Sequence, residues 1–236
     1  MSLLSMGRRW LSRIGCECPL CGARVAGARL CQGCATDITG TPPGMQARCR
    51  RCALRLPAGA AHCASCLGAP RAYARTIAAF DYAPPADALI RMLKTQLRLS
   101  MAPVLARVLA DAMLRDGALP TGTVLVPVPA SRASLRLRGM NPAGEIARGL
   151  AAELGLPLVG DALRRRRETP RQSSLNRQAR RRGAVGLFQA SAAVAGHHVA
   201  LVDDVMTTGS TVQAAATALL AAGAASVTVL VVARTP

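Results

Sequence analysis

Val199-Ala-Leu-Val-Asp-Asp-Val-Met-Thr-Thr-Gly-Ser-Thr211 runs from an apolar stretch, through two acids, into small and hydroxyl residues around a glycine. The segment His198–Asp203 reads as a buried strand, and the residues from Ser210 onward read as a helix. A loop between the carboxyl end of a strand and the start of a helix is where open α/β sheets bind ligands. Backbone N–H groups over Val205, Met206, Thr207, Thr208, Gly209, Ser210 and Thr211 can close on a phosphate there, and the helix N-terminus adds a favourable dipole. Asp203 and Asp204 disfavour a bare phosphate nearby. Paired with a sugar they make sense, because adjacent acids can accept hydrogen bonds from two neighbouring ribose hydroxyls. An ordinary strand–helix turn, N-capped by Ser210 or Thr211, would explain the hydroxyls and the glycine. It would leave the two acids at the end of a buried strand unexplained.

The same alternation extends outward from this loop. Thr76–Tyr82 and Thr123–Val128 read as strands, and Pro85–Arg115 reads as a helix broken near Ser100–Pro103. A basic loop follows Val128, a helix covers Pro142–Leu154, and Ser226–Ala233 forms the last strand. Strands separated by helices predict a parallel sheet covered on both faces. Ala214–Ala233 carries no charge over a length that could cross a bilayer, but it changes midway from alanine-rich to β-branched. Helix, turn and strand of an α/β domain account for it, and no membrane span is predicted. Met1–Gly15 shows no sustained apolar stretch and no cleavage site, so no signal peptide is expected and the cytoplasm is the expected compartment.

All nine cysteines lie between Cys16 and Cys66. Eight form four Cys-x-x-Cys knuckles: Cys18/Cys21, Cys31/Cys34, Cys49/Cys52 and Cys63/Cys66. The intervals Gly22–Leu30 and Ala53–His62 are nearly equal, which marks a tandem repeat of one small unit. A knuckle lets both thiolates face one ion, and two knuckles complete a tetrahedral four-sulfur shell of the kind zinc takes. Disulfides would want a secreted chain, and a redox Cys-x-x-Cys would be a single pair on a βαβ unit. Such closed sites are structural; in small zinc peptides the metal supplies on the order of 10–16 kcal/mol of folding energy. Spacing leaves open whether the knuckles combine sequentially or interleaved, and one or two structural zinc ions are expected. Cys16 is left over, and His62 beside Cys63 is an alternate ligand.

Composition bounds the partners. The 236 residues hold one ordinary domain and a small one, and 51% of them are hydrophobic although only 2% are aromatic. Thirty basic residues against 12 acidic ones give a net charge of +18, which attracts polyanions. Lys94 is the only lysine, so the charge is almost all arginine, as biased genome composition would also produce. Lys94 sits in a basic amphipathic helix, Ile90–Arg98, placed to touch phosphate or merely solvent; His197 and His198 read as turn residues.

The segment Leu201–Thr211 resembles the signature of type I phosphoribosyltransferases, which bind phosphoribosyl pyrophosphate with magnesium. With the cysteine knuckles, Val126-Pro-Val-Pro129, Arg136-Leu-Arg-Gly-Met-Asn141 and Gln172…Leu175, the chain resembles the ComF family over almost its whole length. ComF-like proteins include the late competence protein ComFC and the gluconate-utilisation protein GntX. The resemblance implies a phosphoribosyltransferase-like α/β domain over 71–236, a zinc-binding domain over 16–70 and a tail over 1–15. It implies that Asp203 and Asp204 hold the ribose hydroxyls, that Val205–Thr211 cradle the 5′-phosphate, and that Arg136, Arg138 and Gly139 lie near pyrophosphate. Two departures stand out. Gly139-Met-Asn-Pro142 replaces the family's usual Gly-Phe-Asn-Gln, and Gly183-Ala-Val-Gly-Leu-Phe188 lacks the usual preceding asparagine.

Transfer of phosphoribose needs magnesium and cations on the departing pyrophosphate. Purine-salvage relatives place an aspartate base where this chain has Thr207, whereas orotate-type enzymes also have threonine and bring a basic residue from a mobile loop. Arg164–Arg167 and Arg177…Arg182 flank a polar segment, Glu168–Asn176, that suits such a loop. Arginine binds phosphate well but transfers protons poorly. Three functions follow: a phosphoribosyltransferase, a phosphoribosyl-ligand sensor without turnover, and a competence factor handling single-stranded DNA or its translocation machinery. The last would want stacking platforms, and the chain offers only Trp10, Tyr73, Phe80, Tyr82 and Phe188.

Overall fold

The structure is a computed structural model that describes residues 15–41, 45–57, 59–60, 62–68, 71–166 and 186–236. The expected polar loop Glu168–Asn176, the arginines at 167, 177 and 180–182, Gln172, Leu175 and Trp10 lie outside the described residues. In chain order the elements are β1 (Gly15–Glu17), β2 (Arg24–Ala26), α1 (Gln32–Thr39), β3 (Met45–Arg48), β4 (Arg55–Pro57) and α2 (Ala64–Leu67). Then come β5 (Arg75–Asp81), α3 (Asp87–Lys94), α4 (Met101–Asp116), β6 (Thr123–Pro127), α5 (Arg132–Arg138) and α6 (Pro142–Leu154). The chain closes with β7 (Leu163–Arg165), β8 (Phe188–Ala190), β9 (His198–Met206), α7 (Ser210–Ala221) and β10 (Ser226–Arg234).

Four strands form one sheet in the order β5-β10-β9-β6, every neighbour parallel. β10 is central and buried at eight of its nine residues, as a near-continuous Val/Leu run in a covered parallel sheet should be. Alternation sends Ala200 and Val202 of β9 to one face, against α4 and α6, and Val199 and Leu201 to the other, against α7. With so few aromatics, the layers close on small residues. Gly149 of α6 lies so near α4 that a Cβ there would stand 2.7 Å from the Ala106 Cβ.

The two cysteine units pack on opposite faces. Cys18, Leu30 and Ile38 join the α4/α6 side, while Cys49, Cys52, Leu56, Cys63 and Cys66 join the α7 side. The second unit also grips the edge strand: the Thr76 amide donates to the Arg50 carbonyl at 2.9 Å, and the Thr76 hydroxyl to the Arg51 carbonyl at 2.6 Å. At the far end of β5, Asp81 accepts from Arg48 at 2.7 Å and also from Arg55 Nε.

Several boundaries differ from the expectations. The Ala214–Ala233 segment divides into α7 and β10, and among the described residues no helix is long and apolar enough to cross a membrane. The break in the Pro85–Arg115 helix falls earlier, between Lys94 and Met101, with Leu97 at a φ of 55°. The amphipathic helix therefore stops at Lys94 and does not reach Arg98. The basic loop after Val128 contains the helix α5, none of whose residues is buried, so it carries no apolar period to read. Pro142 begins α6, which is where proline's fixed φ and missing N–H cost nothing.

Candidate functional site

β9 runs three residues beyond its expected end, so Asp203 and Asp204 lie on the strand itself. Neighbouring strand residues face opposite ways. Asp204 is buried on the α3 side, where the Lys94 ammonium meets its Oδ2 at 2.8 Å. Its Oδ1 accepts from the Val205 amide at 2.6 Å, and Asp203 Oδ1 accepts from the Asp204 amide at 2.9 Å. Burial pushes the Asp203 carboxyl up to about 7, and the Asp204 charge pushes it the same way, against the pull of Lys94 and Arg165.

Thr207, Thr208 and Gly209 then turn the chain into α7. Gly209 is the N-cap in a left-handed conformation, φ 77°, and no side chain caps the helix. The cap by Ser210 or Thr211 that an ordinary strand–helix turn would have used is not made, and a glycine takes the position. The Thr208 and Ser210 hydroxyls lie 3.1 Å apart, and the Ser210 amide points to Thr208 Oγ1 at 3.4 Å. The first turn of α7 carries the positive end of the helix dipole.

The back of this loop is tightly held. A Cβ at Gly209 would stand 2.6 Å from Met206 Cε and 3.4 Å from the Tyr73 hydroxyl. Tyr73 is buried with no hydrogen-bond partner for that hydroxyl among the described residues, and burial pushes its pKa up to about 12. Arg234 donates from Nε to the Cys52 carbonyl at 2.9 Å and from Nη1 to the Met206 carbonyl at 3.3 Å. The Ala72 amide donates to Gln213 Oε1 of α7 at 3.1 Å.

Arg136, Arg138 and Gly139 come from α5 and its left-handed C-cap, immediately beyond β6. β6 pairs with β9, and the Val128 amide donates to the Val202 carbonyl at 2.9 Å, so this segment leaves the sheet at the same end as the aspartates. Asn141 fastens its far side by donating to the Val128 carbonyl at 3.0 Å. Arg136 and Arg138 make no ion pair among the described residues.

The eight paired cysteines gather in two sets, Cys18/Cys21/Cys31/Cys34 and Cys49/Cys52/Cys63/Cys66, with the sulfurs of each set within 4.8 Å of one another. The combination is sequential, which spacing alone left open. Tetrahedral zinc with bonds of about 2.3 Å wants sulfurs roughly 3.8 Å apart. Cys21–Cys31 at 3.6 Å and Cys52–Cys63 at 3.4 Å fit that shell, so both sets can hold zinc. Burial works against the thiolates of Cys18 and Cys63. At Cys18, knuckle amides and the Cys21 side chain overcome it and bring the thiol down to about 6, and at Cys63 the Ser65, Cys52 and Cys66 contacts do the same. Cys16 and His62 join neither set.

Sequence reasoning missed the roles of Tyr73, Arg234 and Asp81, and it placed Lys94 against phosphate or solvent without foreseeing its pairing with Asp204. Lys94 had one readable signal, as the only lysine among 30 basic residues. β9 begins at His198, where the strand was expected to start, and the His198 ring meets the Ser226 hydroxyl at 2.8 Å.

A family model for the phosphoribosyl transferase domain matches residues 137–236, so the sheet and loop are those of the phosphoribosyltransferase class. "DNA utilization protein YhgH" of Salmonella typhi is 37% identical over 193 residues, covering 79% of this chain and 84% of that one. "Competence protein F" of Haemophilus influenzae is 31% identical over 190 residues, covering 77% and 80%. The chain belongs to the ComF family to which these proteins belong. Among solved structures, glutamine phosphoribosylpyrophosphate amidotransferase from B. subtilis, complexed with ADP and GMP, is 26% identical with a TM-score of 0.37. That match covers 55% of this chain and only 25% of the amidotransferase chain.

Proposed function

We propose that the chain binds phosphoribosyl pyrophosphate, or a related ribose 5-phosphate, together with magnesium, and acts as a phosphoribosyltransferase in DNA utilisation or competence. The observation that carries this reading is a strand with two adjacent acids near its carboxyl end, followed by a helix whose N-cap is a glycine. Asp203 and Asp204 would accept from the ribose hydroxyls, and Val205, Met206, Thr207, Thr208, Gly209, Ser210 and Thr211 would surround the 5′-phosphate. Exposed Arg136 and half-buried Arg138, beside Gly139 at the same end of the sheet, would take the pyrophosphate. Magnesium would supply charge neutralisation on the departing pyrophosphate. The donor set suits it: a magnesium ion needs few protein oxygens when the ligand brings phosphates.

Thr207 leaves the loop without an acid–base side chain, so the acceptor must carry its own nucleophile or be deprotonated from elsewhere. We divide the chain into a tail over 1–15, a unit over 16–70 holding two structural zinc ions and a ligand-binding unit over 71–236, working in the cytoplasm. Pyrophosphate release from phosphoribosyl pyrophosphate across a panel of bases and amines tests turnover. Release that requires Asp203 and Asp204 supports a transferase. Binding without release for every acceptor reduces the protein to a sensor of the same ligand.

A specific observation favours a contact with single-stranded DNA as well. A cavity of about 1260 Å³ between the second cysteine unit and β5 is lined by Arg48, Arg50, Arg55, Arg75 and Arg115, with Asp116 as its acid. It has no Phe, Tyr or Trp in its lining, so contact would be led by phosphates, independent of sequence and steeply salt-dependent. An Arg50→Ala/Arg115→Ala variant should then hold labelled oligo-dT about tenfold more weakly at low salt. Unchanged binding would remove this reading and leave the ribose-phosphate one standing.

A further inference from the structure

We infer that Lys94 is a ligand-contacting residue of the ribose-phosphate site, shared between Asp204 and an anionic substituent on ribose carbon 1, so that the site selects a 1-diphosphate over ribose 5-phosphate itself. The inference rests on the function proposed above and deepens it. Three observations carry it.

The first is hydrogen-bond accounting at Asp204. Oδ1 is taken by the Val205 amide at 2.6 Å, so Oδ2 is the oxygen left for a sugar hydroxyl, and the Lys94 ammonium already lies 2.8 Å from it. A hydroxyl bound to that oxygen would lie next to the ammonium. Through the carbon neighbouring that hydroxyl, the carbon 1 substituent comes within reach of the same charge.

The second is the donor count. A lysine ammonium has three N–H groups. Asp204 takes one, and Lys94 keeps a quarter of its side-chain surface exposed, 25%, against 11% for Asp204. The ammonium thus has donors beyond the one Asp204 takes, on a side chain that solvent reaches. The residue sits at the last position of α3, whose terminal carbonyls favour a cation.

The third is charge. Two adjacent carboxylates on β9 repel any polyphosphate brought to them. Lys94 is the cation that makes an ion pair with this acid pair among the described residues. It offsets the repulsion at the point where a diphosphate would leave the sugar. Ribose 5-phosphate keeps its charge at the loop over Val205–Thr211 and has no need of Lys94. A purely structural ion pair predicts no such difference between ligands.

Calorimetry on the full chain with magnesium, using phosphoribosyl pyrophosphate and ribose 5-phosphate in parallel, separates the cases. Lys94→Gln should weaken the diphosphate about ten- to hundredfold, the range for a charge-assisted contact, and ribose 5-phosphate less than about threefold. Lys94→Arg should recover most of the loss, and melting curves show that both variants are folded. Equal weakening of the two ligands, or none, overturns the role of Lys94 while leaving the site assignment intact. Failure of the wild-type chain to bind either ligand overturns both. Should Lys94→Gln fail to fold, the ratio of the two affinities in Lys94→Met decides, and a shift of about tenfold or more against the diphosphate is expected. A ratio unchanged in Lys94→Met, which keeps the apolar stem and removes the charge, overturns it.

Discussion

Arg234 Nε donates to the carbonyl of Cys52 at 2.9 Å, which ties the last strand of the sheet to a knuckle of the second cysteine unit. The same guanidinium reaches the Met206 carbonyl at 3.3 Å, at the entrance of the candidate loop. The residue is buried, so its contacts are charge-assisted bonds shielded from water. The second cysteine unit is therefore part of the wall behind the loop. Arg234→Met should lower affinity for phosphoribosyl pyrophosphate about three- to tenfold while leaving both zinc ions bound, checked by calorimetry and metal analysis.

The two cysteine sets differ in exposure. All four cysteines of the second set are buried, whereas Cys21 is exposed and Cys31 and Cys34 are partly so. A chelator should strip the first set in a fast phase and the second in a slower phase accompanied by loss of structure. Metal release followed with a coloured indicator, alongside circular dichroism, checks the order.

Asp203 gives stability a pH dependence of known sign. Burial, then the charge of Asp204, raise its carboxyl from 3.8 to about 7 in the folded chain. The folded state thus holds a proton that the unfolded state releases. Its contribution is full below about pH 4 and is lost as the pH rises through about 7. Asp203→Asn should therefore melt higher than wild type at about pH 8, with the gap shrinking toward about pH 4. A gap that widens toward acid would contradict the burial account.

Two glycines separate packing from loop geometry. Gly149→Ala forces a methyl against Ala106 and should cost about 1–3 kcal/mol of stability, with ligand affinity kept in the folded fraction. Gly209→Ala adds left-handed strain and a clash with Met206 Cε at the loop itself. It should abolish ligand binding at a smaller cost in melting temperature.

Much of this was legible in the sequence because it depends on local pattern. The strands of the sheet, α6 and α7 follow from apolar runs and periodicity, and Asp203 to Thr211 follow from one contiguous stretch. What was not legible is set by tertiary structure. Lys94 and Asp204 are far apart in the chain, and only the docking of α3 on β9 brings them to 2.8 Å. Arg234 and Cys52 meet only because the second cysteine unit packs on the α7 face. The pairing of knuckles was undetermined because sequential and interleaved sets share the same spacing. α5 was hidden because it buries nothing.

The most direct test is titration of the zinc-loaded chain with phosphoribosyl pyrophosphate and magnesium, beside the Asp203→Asn/Asp204→Asn variant. The account predicts saturable one-to-one binding by the wild type and a loss of at least about a hundredfold in the variant, the sum of two lost carboxylate contacts. Equal affinity in both proteins would contradict it.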